Sequence, residues 1–195
     1  MTLKRLCIFC GSQRGHDPLY AAAAASMARL LAERGISVVF GGGRVGMMGV
    51  VAQAALAAGG KVIGVIPEGL KRRELACENL TELIVTRTMH ERKQRMAELS
   101  DGFVALPGGF GTFEEFCEIV TWAQLGLHEK PCGLLNVGGY YDPLLSMFDR
   151  ALGEGFLRPQ YRALVLTESE PAALLALMQG WRPPALEKWL TPETA

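Results

Sequence analysis

Short apolar runs alternate with helix-like segments along almost the whole chain, and few folds accommodate that alternation. The runs fall at residues 4–10, 36–40, 61–66, 83–86, 102–106, 132–136 and 163–167. The helical patterns fall at about 18–34, 46–58, 89–99, 112–126, 141–153 and 170–178. Several runs, such as Val38-Val39-Phe40 and Val62-Ile63-Gly64-Val65-Ile66, are continuous and apolar. Such runs suit strands of a parallel sheet whose two faces are both covered by helices. The alternation therefore predicts an α/β fold: one doubly wound, Rossmann-like domain with a parallel sheet and helices on both faces. At 195 residues the chain fits a single domain with a full-sized core. The pattern places that domain over residues 1–180. After Gly180 it stops, and residues 181–195, with Trp181, Trp189 and Leu190, read as a tail packing on the body or on a partner chain.

Composition narrows the function classes. Twenty basic residues balance twenty acidic ones, so no global field draws nucleic acid or an anionic membrane, and any basic site must be local. The opening Met1-Thr2-Leu3-Lys4-Arg5-Leu6 enters a strand directly and lacks the apolar core of a signal peptide. No apolar run approaches membrane-spanning length, and the expectation is a cytoplasmic protein. The cysteines at 7, 10, 77, 117 and 132 are scattered. Cys7 and Cys10 lie three apart on a strand, so they point to opposite faces and read as packing residues rather than a redox pair. His16, His90 and His128 are dispersed, and no metal site is expected.

In a doubly wound sheet, ligands bind beyond the carboxyl ends of the strands. Three glycine turns follow strands there: Gly11-Ser12, then Gly41-Gly42-Gly43-Arg44-Val45-Gly46, then Pro107-Gly108-Gly109-Phe110-Gly111-Thr112. Together they predict a nucleotide-sized site, with Gly11, Ser12, Gly42, Gly43, Gly108, Gly109 and Gly111 among its binding residues. Between a strand and a helix, such a turn lets backbone N–H groups approach a phosphate at the positive end of the helix. None of the three matches the G-x-x-x-x-G-K-[ST] pattern of an NTPase. No acidic residue ends the strand after the second turn to hold an adenosine ribose, which argues against NAD. No cofactor is expected.

Two charges stand where apolar residues would be expected. On the helix at 89–99, Met89, Met96 and Leu99 form a stripe that Arg92 completes. An arginine there is either a snorkelling surface residue or a cation aimed at a buried anion. Its neighbours Lys93 and Arg95 suit a solvated face, Arg95 more than Arg92. On the helix at 112–126, Phe113, Phe116, Cys117 and Val120 form one apolar face, while Glu115 shares another with Ile119 and Trp122. A helix apolar on two sides lies between the sheet and something else, such as a second subunit. Helix-dipole stabilisation would serve Glu114 equally well and does not explain the apolar company of Glu115. Thr112 suits an N-cap, a ligand contact or both.

With these residues assembled, the chain resembles the LONELY GUY family, the cytokinin-activating phosphoribohydrolases, many of whose bacterial members carry the label "lysine decarboxylase-like". The family motif P-G-G-x-G-T-x-x-E is matched at every fixed position by Pro107 to Glu115, and its Arg-Lys partner by Arg92-Lys93. Thr121-Trp122-Ala123-Gln124-Leu125-Gly126 and the segment from Leu134 to Tyr140-Tyr141 are also similar. The resemblance begins at Cys10-Gly11-Ser12 and covers nearly the whole chain. It implies hydrolysis of the N-glycosidic bond of N6-substituted adenosine 5′-monophosphates to the free base and ribose 5-phosphate. It also implies a homodimer, with the interface expected on the helix at 112–126. Carried over by position, Arg92 and Glu115 are the catalytic pair, and Lys93, the 108–112 turn, Glu74 and Thr121 bind substrate. The segment Leu70-Lys71-Arg72-Arg73-Glu74 departs from the family's Met-Pro-Lys-Glu form. A literal decarboxylase would need a Schiff-base lysine, and of the six lysines only Lys93 lies near the glycine rim. Two alternatives stay open: a general purine nucleotide nucleosidase acting on AMP itself, and a nucleotide-binding sensor or carrier that does not cleave its ligand.

Overall fold

The computed structural model describes residues 2–74, 76–77 and 79–185, with the backbone alone for 72–74. It is a seven-stranded parallel sheet in the order β4-β3-β2-β1-β5-β6-β7. The strands are β1 Arg5–Phe9, β2 Ser37–Phe40, β3 Val62–Pro67, β4 Glu82–Thr86, β5 Gly102–Ala105, β6 Cys132–Leu135 and β7 Val165–Glu168. Helices α1 Pro18–Glu33 and α2 Gly46–Ala57 follow β1 and β2, and α3 Glu68–Glu74 follows β3. Then come α4 Met89–Leu99, α5 Phe110–Gln124, α6 Asp142–Gly153, the single turn α7 Pro159–Arg162, and α8 Pro171–Gln179. The predicted strands and long helices are all present, with ends displaced by one or two residues. Helix α3 and the short α7 were not legible: Glu68-Gly69-Leu70-Lys71-Arg72-Arg73-Glu74 carries one apolar side chain and no period.

Strand alternation divides the core into two layers. Leu6 and Ile8 of β1, with Val38, Phe40 and Val104, pack under Ala24, Met27, Ala28 and Leu31 of α1, Val51 of α2 and Leu174 of α8. Cys7, Phe9, Val39 and Phe103 face the other way, against Met96 of α4 and Phe116 and Ile119 of α5. Full burial of each large side chain contributes roughly 1.5–3 kcal/mol, so the two layers hold the helices against the sheet from both sides. Cys7 belongs to one layer, and Cys10, just past the strand, packs against the other. Burial first, and then the nearby negative charge of Glu115, raises both thiols well above their ordinary value. They stay protonated, as packing residues should.

The strand order reverses between β1 and β5: β2, β3 and β4 extend one way, β5, β6 and β7 the other. In doubly wound sheets it is at such a switch point that the loops on the carboxyl side diverge and ligands bind. Among the described residues no helix is long and apolar enough to cross a membrane. Beyond α8 the chain runs on without regular structure through Trp181, whose indole N–H donates to the Glu129 carbonyl at 3.3 Å. The part of the expected tail that contains Trp189 and Leu190 lies outside the described residues.

Candidate active site

All three glycine turns converge on the β1–β5 switch point. The Gly11 N–H donates to the Pro107 carbonyl at 3.3 Å, and the Gly11 carbonyl accepts from Met47 N–H at 3.0 Å. The backbones touch: a Cβ on Gly11 would stand 3.1 Å from Gly108 Cα, and one on Gly46 would stand 2.2 Å from the Ser12 carbonyl. Ser12 itself is exposed at the rim. The glycines at 108, 109 and 111 are not equivalent. A Cβ on Gly108 would lie 2.2 Å from Thr112 Oγ1 and 2.7 Å from Gly11 N, so this position is closed by the protein's own backbone and side chain. On Gly109 and Gly111 it would meet nothing within 4 Å. Both also lie outside the positive-φ glycines. Nothing in the chain itself demands glycine at 109 or 111. The open space there borders the first turn of α5, whose N–H groups have no partner within the helix.

Helix α5 starts at Phe110, capped by Gly109, which has no capping side chain. Thr112 is therefore inside the first turn, at 3% exposure, and the N-cap reading is corrected: the helix begins two residues earlier than its apolar period showed. The core-facing stripe is Thr112, Phe116, Ile119 and Ala123, which takes Phe116 from one expected face and Ile119 from the other, and Cys117 is exposed.

Arg92 is not a snorkelling residue. Thr88 caps α4 by accepting from the Glu91 N–H at 3.1 Å, and Glu91 accepts in return from the Arg87 N–H at 2.9 Å. One turn into the helix so anchored, Arg92 is buried with Met96. Its Nε donates to the Val65 carbonyl at 3.1 Å, and its Nη1 lies 3.2 Å from Glu115 Oε1. Both side chains of this pair are only 10% exposed. Burial pushes the Glu115 carboxyl above its ordinary value, and the guanidinium of Arg92 opposes that shift. The result is a nearly dry ion pair at the end of the glycine turn that begins α5.

Gly41 makes room for it. A Cβ there would come within 2.1 Å of Arg92 Nη2, so only glycine lets the guanidinium lie flush on the end of β2. The sequence pointed instead to Gly42 and Gly43, which protein encloses. Gly42 has φ +77° and abuts Ile66, its carbonyl accepts from Cys77 N–H at 2.9 Å, and Gly43 is bridged to Ala76. A lone glycine among three carries no sequence mark of which one faces the site.

Lys93 braces the pair from outside. Its ammonium binds Glu114 at 2.5 Å and Glu118 at 2.9 Å and ties α4 to α5. Burial alone would lower its pKa, but the two carboxylates outweigh burial and raise it. A lysine held so firmly protonated is a poor Schiff-base nucleophile. Arg95 sits on the solvated face, paired with Glu98 at 3.2 Å. Thr121 lies ten residues, about 15 Å of helix rise, beyond Gly111 on α5, and its hydroxyl donates to the Cys117 carbonyl at 2.7 Å. The backbone at Glu74 ends α3; its side chain lies outside the described residues.

Two further residues reach the turn from β6's side. Tyr140 donates its hydroxyl to the Gly108 carbonyl at 2.5 Å, and Tyr141 donates to the Leu106 carbonyl at 2.6 Å. The adjacent tyrosines were visible as sequence, but no spacing rule ties residues 140 and 141 to a turn more than thirty positions earlier.

The chain is similar to known proteins over most of its length. Residues 48–178 match the family described as "Possible lysine decarboxylase". Cytokinin riboside 5′-monophosphate phosphoribohydrolase LOG2 of Arabidopsis thaliana is 46% identical over 180 residues, covering 92% of this chain and 84% of that one. The phosphoribohydrolase LOG7 of the same plant is 47% identical over 180 residues, 92% of this chain and 83% of its own. The chain belongs to the LONELY GUY family. Among solved structures, the molybdenum cofactor binding protein of Rippkaea orientalis superposes with a TM-score of 0.70 at 24% identity, covering 92% of this chain and 98% of that one. That likeness carries the fold alone. The LONELY GUY motif from Pro107 to Glu115 thus comprises the glycine turn just beyond β5 and the first turn and a half of α5, with its arginine partner delivered by α4.

Proposed function

We propose that this protein hydrolyses the N-glycosidic bond of N6-substituted adenosine 5′-monophosphates, releasing the free cytokinin base and ribose 5-phosphate. The observation that carries this reading is the buried Arg92–Glu115 pair set beside an open glycine turn at a helix N-terminus. Binding a phosphate alone does not call for a nearly dry carboxylate one turn away. Cleaving an N-glycosidic bond does, because the ribose becomes cationic as the C1′–N9 bond breaks. The N–H groups of the turn and the dipole of α5 hold the 5′-phosphate, and that remote contact orients the sugar. Glu115 stabilises the oxocarbenium ion through the ribose hydroxyls or the attacking water, in a site where preorganised charge acts with little screening. Arg92 balances that carboxylate and donates to the departing purine or to the phosphate. Water delivers its hydroxide to C1′ and its remaining proton goes to the purine.

Purified protein incubated with isopentenyladenosine 5′-monophosphate, AMP and unphosphorylated isopentenyladenosine tests this. Release of base and ribose 5-phosphate from the N6-substituted monophosphate, and none from the riboside, is the expected result. Faster cleavage of AMP would make the protein a general purine nucleotide nucleosidase, and binding without cleavage would make it a sensor or carrier.

We also infer a homodimer formed over α5. Phe110, at its N-terminus, is 93% exposed, and Cys117 on the same helix is exposed, which is support for a covered apolar face. Light scattering at micromolar concentration should give about twice the 21.1 kDa chain mass; a monomer would overturn the inference. The reading includes no nucleic-acid partner, in keeping with the neutral net charge. Cys7, Cys10, Cys117 and Cys132 are thiols outside any disulfide, which supports a cytoplasmic location.

A further inference from the structure

We propose that Tyr140 is a positioning residue that sets the direction of the Gly109 N–H in the phosphate-binding turn. This rests on the reading of that turn as the 5′-phosphate site. In a planar trans peptide the carbonyl of one residue and the N–H of the next point in opposite directions. Holding a carbonyl therefore aims the following N–H. Four successive carbonyls of the turn are each held. Leu106 accepts from the Tyr141 hydroxyl at 2.6 Å, Pro107 from the Gly11 N–H at 3.3 Å, Gly108 from the Tyr140 hydroxyl at 2.5 Å, and Gly109 from the Phe113 N–H at 3.1 Å. The peptides aimed in this way carry the N–H groups of Gly108, Gly109 and Phe110.

Three of these carbonyls bear differently on function. The Gly109 carbonyl is held by helix formation, and the Pro107 carbonyl by the neighbouring strand's loop. Leu106 has no N–H after it to aim, because residue 107 is proline, so Tyr141 anchors the base of the turn. Only the Gly108 carbonyl depends on a side chain while the N–H it aims, that of Gly109, belongs to the residue bordered by open space. Tyr140 is delivered by a built support. Asn136 accepts from the Tyr141 N–H at 2.7 Å and donates to Asp142 at 2.7 Å, across a turn in which Gly138 and Gly139 have φ of 58° and 73°. Its ring packs edge-on against Tyr20 and Tyr141 and is stacked on Phe113. Those contacts survive loss of the hydroxyl, so Tyr140→Phe removes the hydrogen bond and little else.

The test measures equilibrium binding of isopentenyladenosine 5′-monophosphate and of its unphosphorylated riboside. Both are measured in a Glu115→Gln background, which prevents turnover, with and without Tyr140→Phe. The expected result is about a tenfold loss of affinity for the monophosphate, no change for the riboside, and an unchanged melting temperature. Equal losses for both ligands, or a loss that follows a lowered melting temperature, would make Tyr140 a packing residue and overturn the proposal. Unchanged affinity for both would overturn it as well. If the Glu115→Gln protein holds the monophosphate no more tightly than the riboside before Tyr140 is changed, the phosphate-site reading itself fails and takes the proposal with it.

Discussion

Glu115→Gln should lower the hydrolytic rate about a thousandfold while the protein still folds. The amide keeps the shape of the side chain and an acceptor oxygen facing Arg92 Nη1, which stands 3.2 Å from the carboxylate in the structure. What it removes is the negative charge that the proposed mechanism sets against the ribose cation. Glu115→Ala should behave differently. It leaves the guanidinium, buried to 10% exposure, with the Val65 carbonyl and no anion, at a cost on the order of 3 kcal/mol. A thermal melt beside the rate assay separates the two variants, and a Glu115→Gln enzyme at wild-type rate would remove the residue from the mechanism. The same carboxylate dictates the pH dependence. Burial raises its pKa, with Arg92 opposing, so activity should fall on the acid side with a midpoint above 4.5, the value of an unperturbed glutamate. Stability runs the other way. An acid whose folded pKa is raised binds its proton more tightly in the native state, so the contribution of Glu115 to stability improves as pH falls through that window. Loss of activity with acid, without loss of fold, is the signature to look for. Replacing Arg92 by glutamine removes the charge that holds the pKa down and should move any residual activity's acid midpoint upward.

Alanine at the three motif glycines should split stability from binding. Gly108→Ala places a methyl 2.2 Å from Thr112 Oγ1 and 2.7 Å from the Gly11 nitrogen. One of those is backbone and the other a buried side chain, so the turn must shift, and overpacking of this kind costs roughly 1–3 kcal/mol. At Gly109 and Gly111 the same methyl meets nothing within 4 Å. Gly111 lies inside α5, where alanine is favoured over glycine by up to about 1 kcal/mol, so Gly111→Ala should melt no lower than the parent and even higher. Both methyls occupy the space beside the first-turn N–H groups, and each should weaken monophosphate binding about 30-fold, or roughly 2 kcal/mol. A variant more stable but less able to bind would show that glycine is kept there for the ligand and not for the fold. Melting curves and calorimetric titration on the three proteins decide it. Undiminished binding by both Gly109→Ala and Gly111→Ala would move the phosphate elsewhere.

The Arg92–Glu115 pair also shows why the carrier reading, which the fold by itself would allow, is the weaker one. Two charges at 10% exposure each demand desolvation that a surface phosphate site avoids. Their placement beside the open glycine turn is better explained by a charge that develops during reaction. The brace formed by Lys93 with Glu114 and Glu118 keeps α4 and α5 at the spacing this pair requires.

Local patterns in the chain were enough to foretell the architecture. Each strand needs only a local run of apolar residues and each long helix only a local period, and both are properties of neighbouring positions. The motif from Pro107 to Glu115 was legible for the same reason, since strand, turn and helix N-terminus are contiguous. Even the anomaly of Arg92 could be seen as a charge in an apolar stripe. Tertiary structure alone decided what that charge faces, because Arg92 and Glu115 meet only when α4 and α5 pack side by side on one face of the sheet. It decided that Gly41, and not its two neighbours, admits the guanidinium, since the distinction rests on a side chain fifty-one positions away. It placed the hydroxyl of Tyr140 on the Gly108 carbonyl, a contact between elements that no sequence period couples.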